Sequence, residues 1–193
     1  MRTFLESPRL RLRRFTEADL DLLVGLDNDP EVMRYLNGGR PVPRETLRTR
    51  SLPRLLHIHP CTGEPGFWAA EERSTGAWLG WFEFRPVDDD GGGEVVELGY
   101  RLHKAAWGRG YATEGSRALI RKGFTELGVR RVTANTMAVN AGSRRVMEKA
   151  GLRYLRTYFQ DWPEAIDGSE QGEVEYVLTY EDWSTGPEVR RLG

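Results

Sequence analysis

Leu102-His103-Lys104-Ala105-Ala106-Trp107-Gly108-Arg109-Gly110-Tyr111-Ala112-Thr113-Glu114 joins the end of an apolar, strand-like run to the start of a helix. Glycines at 108 and 110 permit a tight turn and let the backbone approach a ligand closely. Successive amide N–H groups there, added to the first turn of the helix, make a site for an anion such as a pyrophosphate. The dinucleotide fingerprint is excluded, because no third glycine follows at the required spacing, and a phosphate loop is excluded by the missing Gly-Lys-Ser/Thr ending. By itself a Gly-x-Gly before a helix also fits a plain tight turn.

Outward from this junction, the residues before it read as strands. Phe67–Glu72 and Ala77–Phe84 flank the turn Ser74-Thr75-Gly76 as a hairpin, and Glu94–Leu102 is the next strand. The run Asp88-Asp89-Asp90-Gly91-Gly92-Gly93 between them has the composition of an exposed loop. After the junction, Ala112, Leu119, Ile120, Phe124 and Leu127 keep helical spacing up to Gly128. Arg131–Met137 then predicts a strand, Ser143–Ala150 a helix closed by Gly151, and 154–159 and 173–180 two final strands. Toward the N-terminus, residues 9–15 alternate like a half-buried strand, and Thr16-Glu17-Ala18-Asp19 opens a helix carrying Leu20, Leu22, Leu23 and Leu26. Asp29-Pro30 opens another, which stops at Asn37-Gly38, and a third over about 46–57 is interrupted by Pro53. The order predicts an α/β domain with a mixed sheet over residues 1–183, followed by a short C-terminal tail, 184–193.

Composition narrows the function. A chain of 193 residues, 39% hydrophobic, can bury one core without metal or disulfide staples. Its net charge of −1 argues against a nucleic-acid binder held by bulk electrostatics. No apolar run is long enough for a membrane span, and Met1–Glu6 lacks a signal-peptide core. Cys61 is the only cysteine, which predicts a reducing, cytoplasmic setting and offers no nucleophile with an orienting partner. His57 and His59 have no third ligand nearby, so no metal site is expected. Trp68, Trp78 and Trp81 read as core or sheet-face residues, with a groove-lining role open for one or more.

Trp107-Gly108-Arg109-Gly110-Tyr111-Ala112 resembles the Q/R-x-x-G-x-G/A motif of the GNAT superfamily of N-acetyltransferases, with Trp107 in place of the usual Gln or Arg. Residues 29–36, 97–103 and 140–151 resemble further stretches of the ribosomal-protein-alanine (N-terminal) acetyltransferase-like branch, in the same order. The likeness covers about residues 8–180. It implies a twisted, mostly antiparallel sheet flanked by helices, and transfer of an acetyl group from acetyl-CoA to an amine by direct attack in a ternary complex. The strand through Tyr100, Arg101 and Leu102 would pair by its main chain with the pantetheine arm, splaying from its neighbour at a bulge. Gly108, Arg109, Gly110, Tyr111, Ala112 and Thr113 would hold the pyrophosphate, and Asn140, with Ser143 and an arginine nearby, would contact coenzyme A.

The resemblance also identifies what is missing. Many relatives place a tyrosine acid seven residues after the motif Asn, where this chain has Met147. The branch suggests Ser143 as the acid instead; the alternative is that Ser143 only caps its helix. A glutamate used by some relatives as base is replaced by Asn135, which leaves Glu97 as first choice, Glu173, Glu175 and Asp161 as alternatives, and a water chain as a further one. The acceptor stays open between a protein N-terminal amine and a small-molecule amine, as does homodimerisation. A non-catalytic module that senses acetyl-CoA is the competing reading.

Overall fold

The computed structural model describes residues 3–88, 92–160 and 164–186. In chain order its strands are β1 (Thr3–Glu6), β2 (Leu10–Arg13), the short β3 (Ile58–His59) and β4 (Glu64–Pro65), β5 (Phe67–Glu72), β6 (Trp78–Pro86), β7 (Val95–Leu102), β8 (Arg131–Met137), β9 (Arg153–Tyr158) and β10 (Glu173–Thr179). The helices are α1 (Leu20–Asp27), α2 (Pro30–Asn37), α3 (Arg44–Thr46), α4 (Leu52–Leu56), α5 (Tyr111–Glu126), α6 (Ala141–Lys149) and α7 (Tyr180–Ser184). Eight strands form one sheet in the order β1-β2-β5-β6-β7-β8-β10-β9. Every neighbouring pair in it is antiparallel except β7 with β8. The mixed, mostly antiparallel sheet is the one expected.

Alternation along the strands sorts side chains onto two faces. Phe82, Phe84, Leu98, Leu102, Val132, Val174 and Tyr176 pack with Leu119, Ile120 and Phe124 of α5 and Met147 of α6. On the opposite face Phe67, Ala69 and Trp81 pack with Leu23 and Leu26 of α1, Val32 of α2, and Leu52 and Leu55 of α4. Removing each of the fully buried Leu119, Ile120 and Leu26 side chains from water contributes about 2 kcal/mol. Trp68 and Trp81 are buried, as expected for core and sheet-face residues.

Caps anticipated from the residue types are present. The Asp19 carboxylate accepts from the Thr16 N–H at 2.8 Å, and Asp29 accepts from the N–H groups of Glu31 and Val32 ahead of Pro30. Three local expectations need correction. The N-terminal strand ends at Arg13 rather than Phe15, and Thr3–Glu6 adds an edge strand to it. The helix through Pro53 does not break there: a π-helical turn, Leu47–Ser51, links α3 to α4, and the Leu52 N–H bonds to the Leu47 carbonyl. That wider turn absorbs the missing Pro53 donor. Finally β10 stops at Thr179, whose side chain accepts from the Asp182 N–H and caps α7 from Tyr180. No described helix is long and apolar enough to cross a membrane.

Candidate active site

β7 and β8 pair over only three residues, Val95↔Arg131, Val96↔Val132 and Glu97↔Thr133. Beyond that seam each strand is held on its outer side alone: β7 by β6 down to Gly80↔Leu102, β8 by β10 down to Glu173↔Met137. The main-chain edge of Leu98–Leu102 therefore faces a wedge-shaped gap, which can receive an extended chain by strand-like hydrogen bonds. The register of β7 against β6 runs without a shift, so the gap opens by divergence from β8 and not through an extra residue in β7. The side chain of Arg101 turns to the α1 face, where it pairs with Asp27 at 2.7 Å and lies over the Trp81 ring.

At the foot of the gap a short 3₁₀ turn over Lys104–Ala106 leads into the glycine loop. Trp107, at the motif's usual Gln/Arg position, donates its Nε1–H to the Leu102 carbonyl at 2.8 Å and ties the loop to the strand end. Gly108 and Gly110 have φ of +70° and +82°, the left-handed region that glycine enters without strain. The first bond closing α5 runs from the Glu114 N–H to the Gly110 carbonyl. The amides of Gly108 to Thr113 precede it, and the first-turn donors of a helix have no partner within that helix. Glu114 fastens this turn to the β1–β2 connection: its carboxylate accepts from Ser7 Oγ at 2.7 Å, the Arg9 N–H at 2.8 Å and Arg9 Nε at 2.6 Å. Burial pushes the Glu114 carboxyl up, but the bonds from Ser7 and Arg9 outweigh it and hold it below the usual range. The side chain of Tyr111 is buried and donates to Glu72, with the Arg9 and Arg109 guanidiniums over its ring. What Arg109 and Tyr111 present toward the gap is thus main chain. Beside α5 an open groove of about 540 Å³ carries Arg9, Arg117, Arg121 and Lys149.

Asn140 precedes α6, and its Oδ1 accepts from the Ser143 N–H at 3.1 Å. Asn140 is therefore the cap of α6, and the alternative capping role for Ser143 falls away. Ser143 Oγ instead lies 3.0 Å from the Tyr100 hydroxyl, which also bonds the Ser143 carbonyl. Burial, opposed by the Ser143 bond, pushes the Tyr100 phenol up, so it stays protonated. The sequence placed Tyr100 on the cofactor strand by its main chain; its side-chain partnership with Ser143 depends on α6 docking over β7.

Across the seam, on the α1–α4 face, a polar ladder spans the sheet. Tyr158 Oη donates to Asn135 at 3.4 Å, Asn135 Nδ2 to Glu97 at 3.4 Å, and Arg85 bonds both Glu97 and Glu83, the latter at 2.6 Å. Arg54 of α4 stands 3.6 Å from the same Glu83 oxygen. Glu97 lies on this ladder with one oxygen on Arg85 and the other on Asn135. Glu173, 6% exposed, has its Oε1 buried without a hydrogen-bond partner, and burial pushes its carboxyl up. Glu175 pairs with Arg156 at 2.6 Å. Asp161, Asp89 and Asp90 lie outside the described residues. Next to Arg85, Pro53, Arg54, His57, His59 and Phe67 bound a hollow of about 540 Å³. Sequence reasoning passed over Glu83, Arg85 and Tyr158; the only hint was a pair of charges alternating with Phe82 and Phe84 on the hairpin strand.

Comparison with known proteins agrees with this architecture. Residues 9–153 match the family model described as "Acetyltransferase (GNAT) domain". The chain is 34% identical over 185 residues to the FsC-acetyl coenzyme A-N(2)-transacetylase of Aspergillus fumigatus, covering 93% of this chain and 77% of that protein. Among solved structures, a GNAT-family acetyltransferase from Bacillus anthracis superposes with a TM-score of 0.73 at 22% identity, over 92% of this chain and 98% of that one. A spermidine N-acetyltransferase from Vibrio cholerae, in complex with CoA and spermine, gives 0.73 at 17% identity, over 92% and 99%. With the diverging strands, the glycine loop and the matched family all in one chain, this protein belongs to the GNAT superfamily and is an acetyl-CoA-dependent N-acetyltransferase.

Proposed function

We propose that the acceptor is a primary amine of a small molecule, acetylated by direct attack while acetyl-CoA lies in the gap between β7 and β8. The observation that carries this reading is the three-residue seam, which leaves the β7 edge open between the glycine loop ahead of α5 and a face carrying Glu83 and Glu97 with Arg85 and Arg54. Acetyl-CoA supplies the acetyl thioester. The main chain of Tyr100, Arg101 and Leu102 would hold its pantetheine arm, and the amides of Gly108, Arg109, Gly110, Tyr111, Ala112 and Thr113 its pyrophosphate. The groove with Arg9, Arg117, Arg121 and Lys149 offers cations to the remaining phosphate. Ser143, steadied by Asn140 and Tyr100, would give a proton to the departing sulfur. Confining both reactants in one gap converts a bimolecular step to an intramolecular one.

The carboxylates facing the gap from the α1–α4 side favour a cationic acceptor, and the Aspergillus relative is named for transfer to a nitrogen. The finer likeness to the ribosomal-protein-alanine branch would instead make the acceptor a protein N-terminus. A coenzyme A-release assay decides between them, using peptides beginning Ala, Ser or Met, polyamines, aminoglycosides and amino acids, alongside acetyl-CoA calorimetry. Turnover with small amines is the expected outcome. Turnover confined to peptides would move the protein to the N-terminal branch, and acetyl-CoA binding with no turnover would mark a sensor.

A further inference from the structure

Resting on the acetyl-transfer reading, we infer that Glu83 is the base that takes the proton from the acceptor's ammonium group. Glu83 pairs in register with Gly99, two residues past the last seam pair, so it stands where β7 begins to leave β8. Its Oε2 lies 2.7 Å from the point a Gly99 Cβ would occupy, which means the carboxylate lies directly over β7. Any side chain at residue 99 would push it aside. Both cations beside it, Arg85 and Arg54, address Oε1. Oε2 is the oxygen turned toward the strand on which the thioester would lie.

The competing carboxylates are less well placed. Both oxygens of Glu97 are engaged, by Arg85 and Asn135. Glu175 is committed to Arg156. Glu173 stands opposite Met137, four residues beyond the seam along β8, about 13 Å at the rise of a strand. The charges facing Glu83 are Arg85 from its own strand, Arg54 from α4 and Glu97 from β7; Phe67, its partner on β5, brings none. Glu83 is 9% exposed, and burial followed by the Glu97 charge pushes its carboxyl up, against the pull of Arg85 and Arg54. A carboxylate raised toward neutrality is a better proton acceptor at working pH.

In the transfer itself, one ammonium proton passes to Glu83 Oε2 and frees the nitrogen lone pair. The N–C bond forms as the C–S bond of the thioester breaks, and the electron pair of that bond leaves on sulfur. The nitrogen's second proton passes through water to Ser143 Oγ, replacing the one that sulfur receives from Ser143, and Glu83 returns its proton to water. Products are the amide, the free thiol and one proton.

The test compares wild type with Glu83→Gln and Gly99→Ala, using spermidine, kanamycin and an alanine-initiated peptide as probe amines. Both variants should keep acetyl-CoA affinity within about twofold and lose about 10²- to 10³-fold in kcat at pH 7. The deficit should shrink as the pH rises toward the amine's own pKa, where the nucleophile needs no base. In the free protein, carbon-13 carboxyl NMR should show the Glu83 and Glu173 resonances titrating above the usual glutamate range in wild type, with only the first missing from Glu83→Gln. Gly99→Ala keeps the carboxylate but displaces it, so it separates position from charge if Glu83→Gln folds poorly. A folded Glu83→Gln with wild-type kcat and an unchanged pH profile would overturn the assignment alone. Wild-type protein that binds acetyl-CoA yet acetylates no probe would overturn the transfer reading, and the base with it.

Discussion

Gly110→Glu puts a carboxylate at the N-terminus of α5, and its effect separates into a folding part and a binding part. Gly110 has φ +82° and ψ 2°, so any side chain there adopts the left-handed conformation at a cost of roughly 1–2 kcal/mol. An acidic group near a helix N-terminus returns about 0.5 kcal/mol of that. The net loss, about 1 kcal/mol, lowers Tm by about 3 °C for a domain of this size. Binding suffers more. The new charge would sit within about 5 Å of the pyrophosphate, where each pair of like charges costs about 3 kcal/mol at an effective dielectric near 20, and screening at an open site cuts the total for both phosphates to about the same figure. That is about two orders of magnitude in Kd. The Arg9 guanidinium, 3.4 Å from where a Cβ at residue 110 would stand, cannot cancel the charge, because Glu114 and the Arg109 carbonyl already hold it. Isothermal titration with acetyl-CoA reads the effect. Gly110→Ala is the control, with a similar Tm loss and a Kd within about threefold of wild type. A folded Gly110→Glu protein with unchanged affinity would refute the pyrophosphate site.

Glu114→Ala removes three bonds to a carboxylate that anchor the first turn of α5. With Arg9 half-exposed, the loss should be about 2 kcal/mol in urea melts, with a several-fold rise in acetyl-CoA Kd. Ser143→Ala should lower kcat by about 10²-fold and leave acetyl-CoA affinity nearly unchanged, while Tyr100→Phe, which only loosens the hydroxyl, should cost less; equal activity of all three enzymes in steady-state assays would remove Ser143 as the acid. Asp19 and Glu71 are pushed up by burial but pulled below the usual range more strongly, Asp19 chiefly by Arg13 and Glu71 by Arg13 and Arg11. Because their folded values are depressed, as is that of Glu114, their stabilisation is complete above about pH 5 and is lost as pH falls below about 4. Urea midpoints should be flat from pH 7 to 5 and drop below that, and Arg13→Met, which strands the buried Asp19 and leaves Glu71 with Arg11 alone, should cost about 3 kcal/mol at pH 7 and weaken the acid drop.

The elements legible in the sequence are those set by local chemistry. The strands Phe67–Glu72 and Arg131–Met137 emerged with the expected bounds, since turn residues punctuate both. The helix after Gly110 was equally plain, from its spacing and its closing Gly128. What stayed hidden depends on register and docking. Nothing in Val95–Leu102 or Arg131–Met137 says that two adequate strands pair over three residues and then part. Glu83 drew no reading from the sequence, because only the register that sets it opposite Gly99 distinguishes it from other strand charges. Asn135 read as a lost base, whereas it joins Tyr158 on β9 to Glu97 on β7 across three strand spacings. The π turn before Pro53 escaped because proline normally ends a helix, whereas this one continues with Leu47 buried and Leu52 and Leu55 packed on the sheet.

The seam explains how an open gap can persist in a folded protein. Separating two strands leaves amides and carbonyls unpaired, at about 1–3 kcal/mol for each group that is also shut away from water. The gap is tolerable only if water or a ligand reaches those groups, so an open edge inside a sheet is itself a sign of a binding site. Its walls cannot collapse, because β6 grips β7 over seven residue pairs and β10 grips β8 over another seven. The bond from Thr133 Oγ1 to the Val96 carbonyl and the Asn135–Glu97 contact brace the point of divergence. The glycine-loop amides then lie on the α5 side of the sheet, and Glu83 and Glu97, bridged by Arg85, on the other, so on the proposed reading the anionic cofactor and the amine enter from opposite faces. The gap is where they meet, and the position of Glu83 over Gly99, at its apex, follows from that geometry.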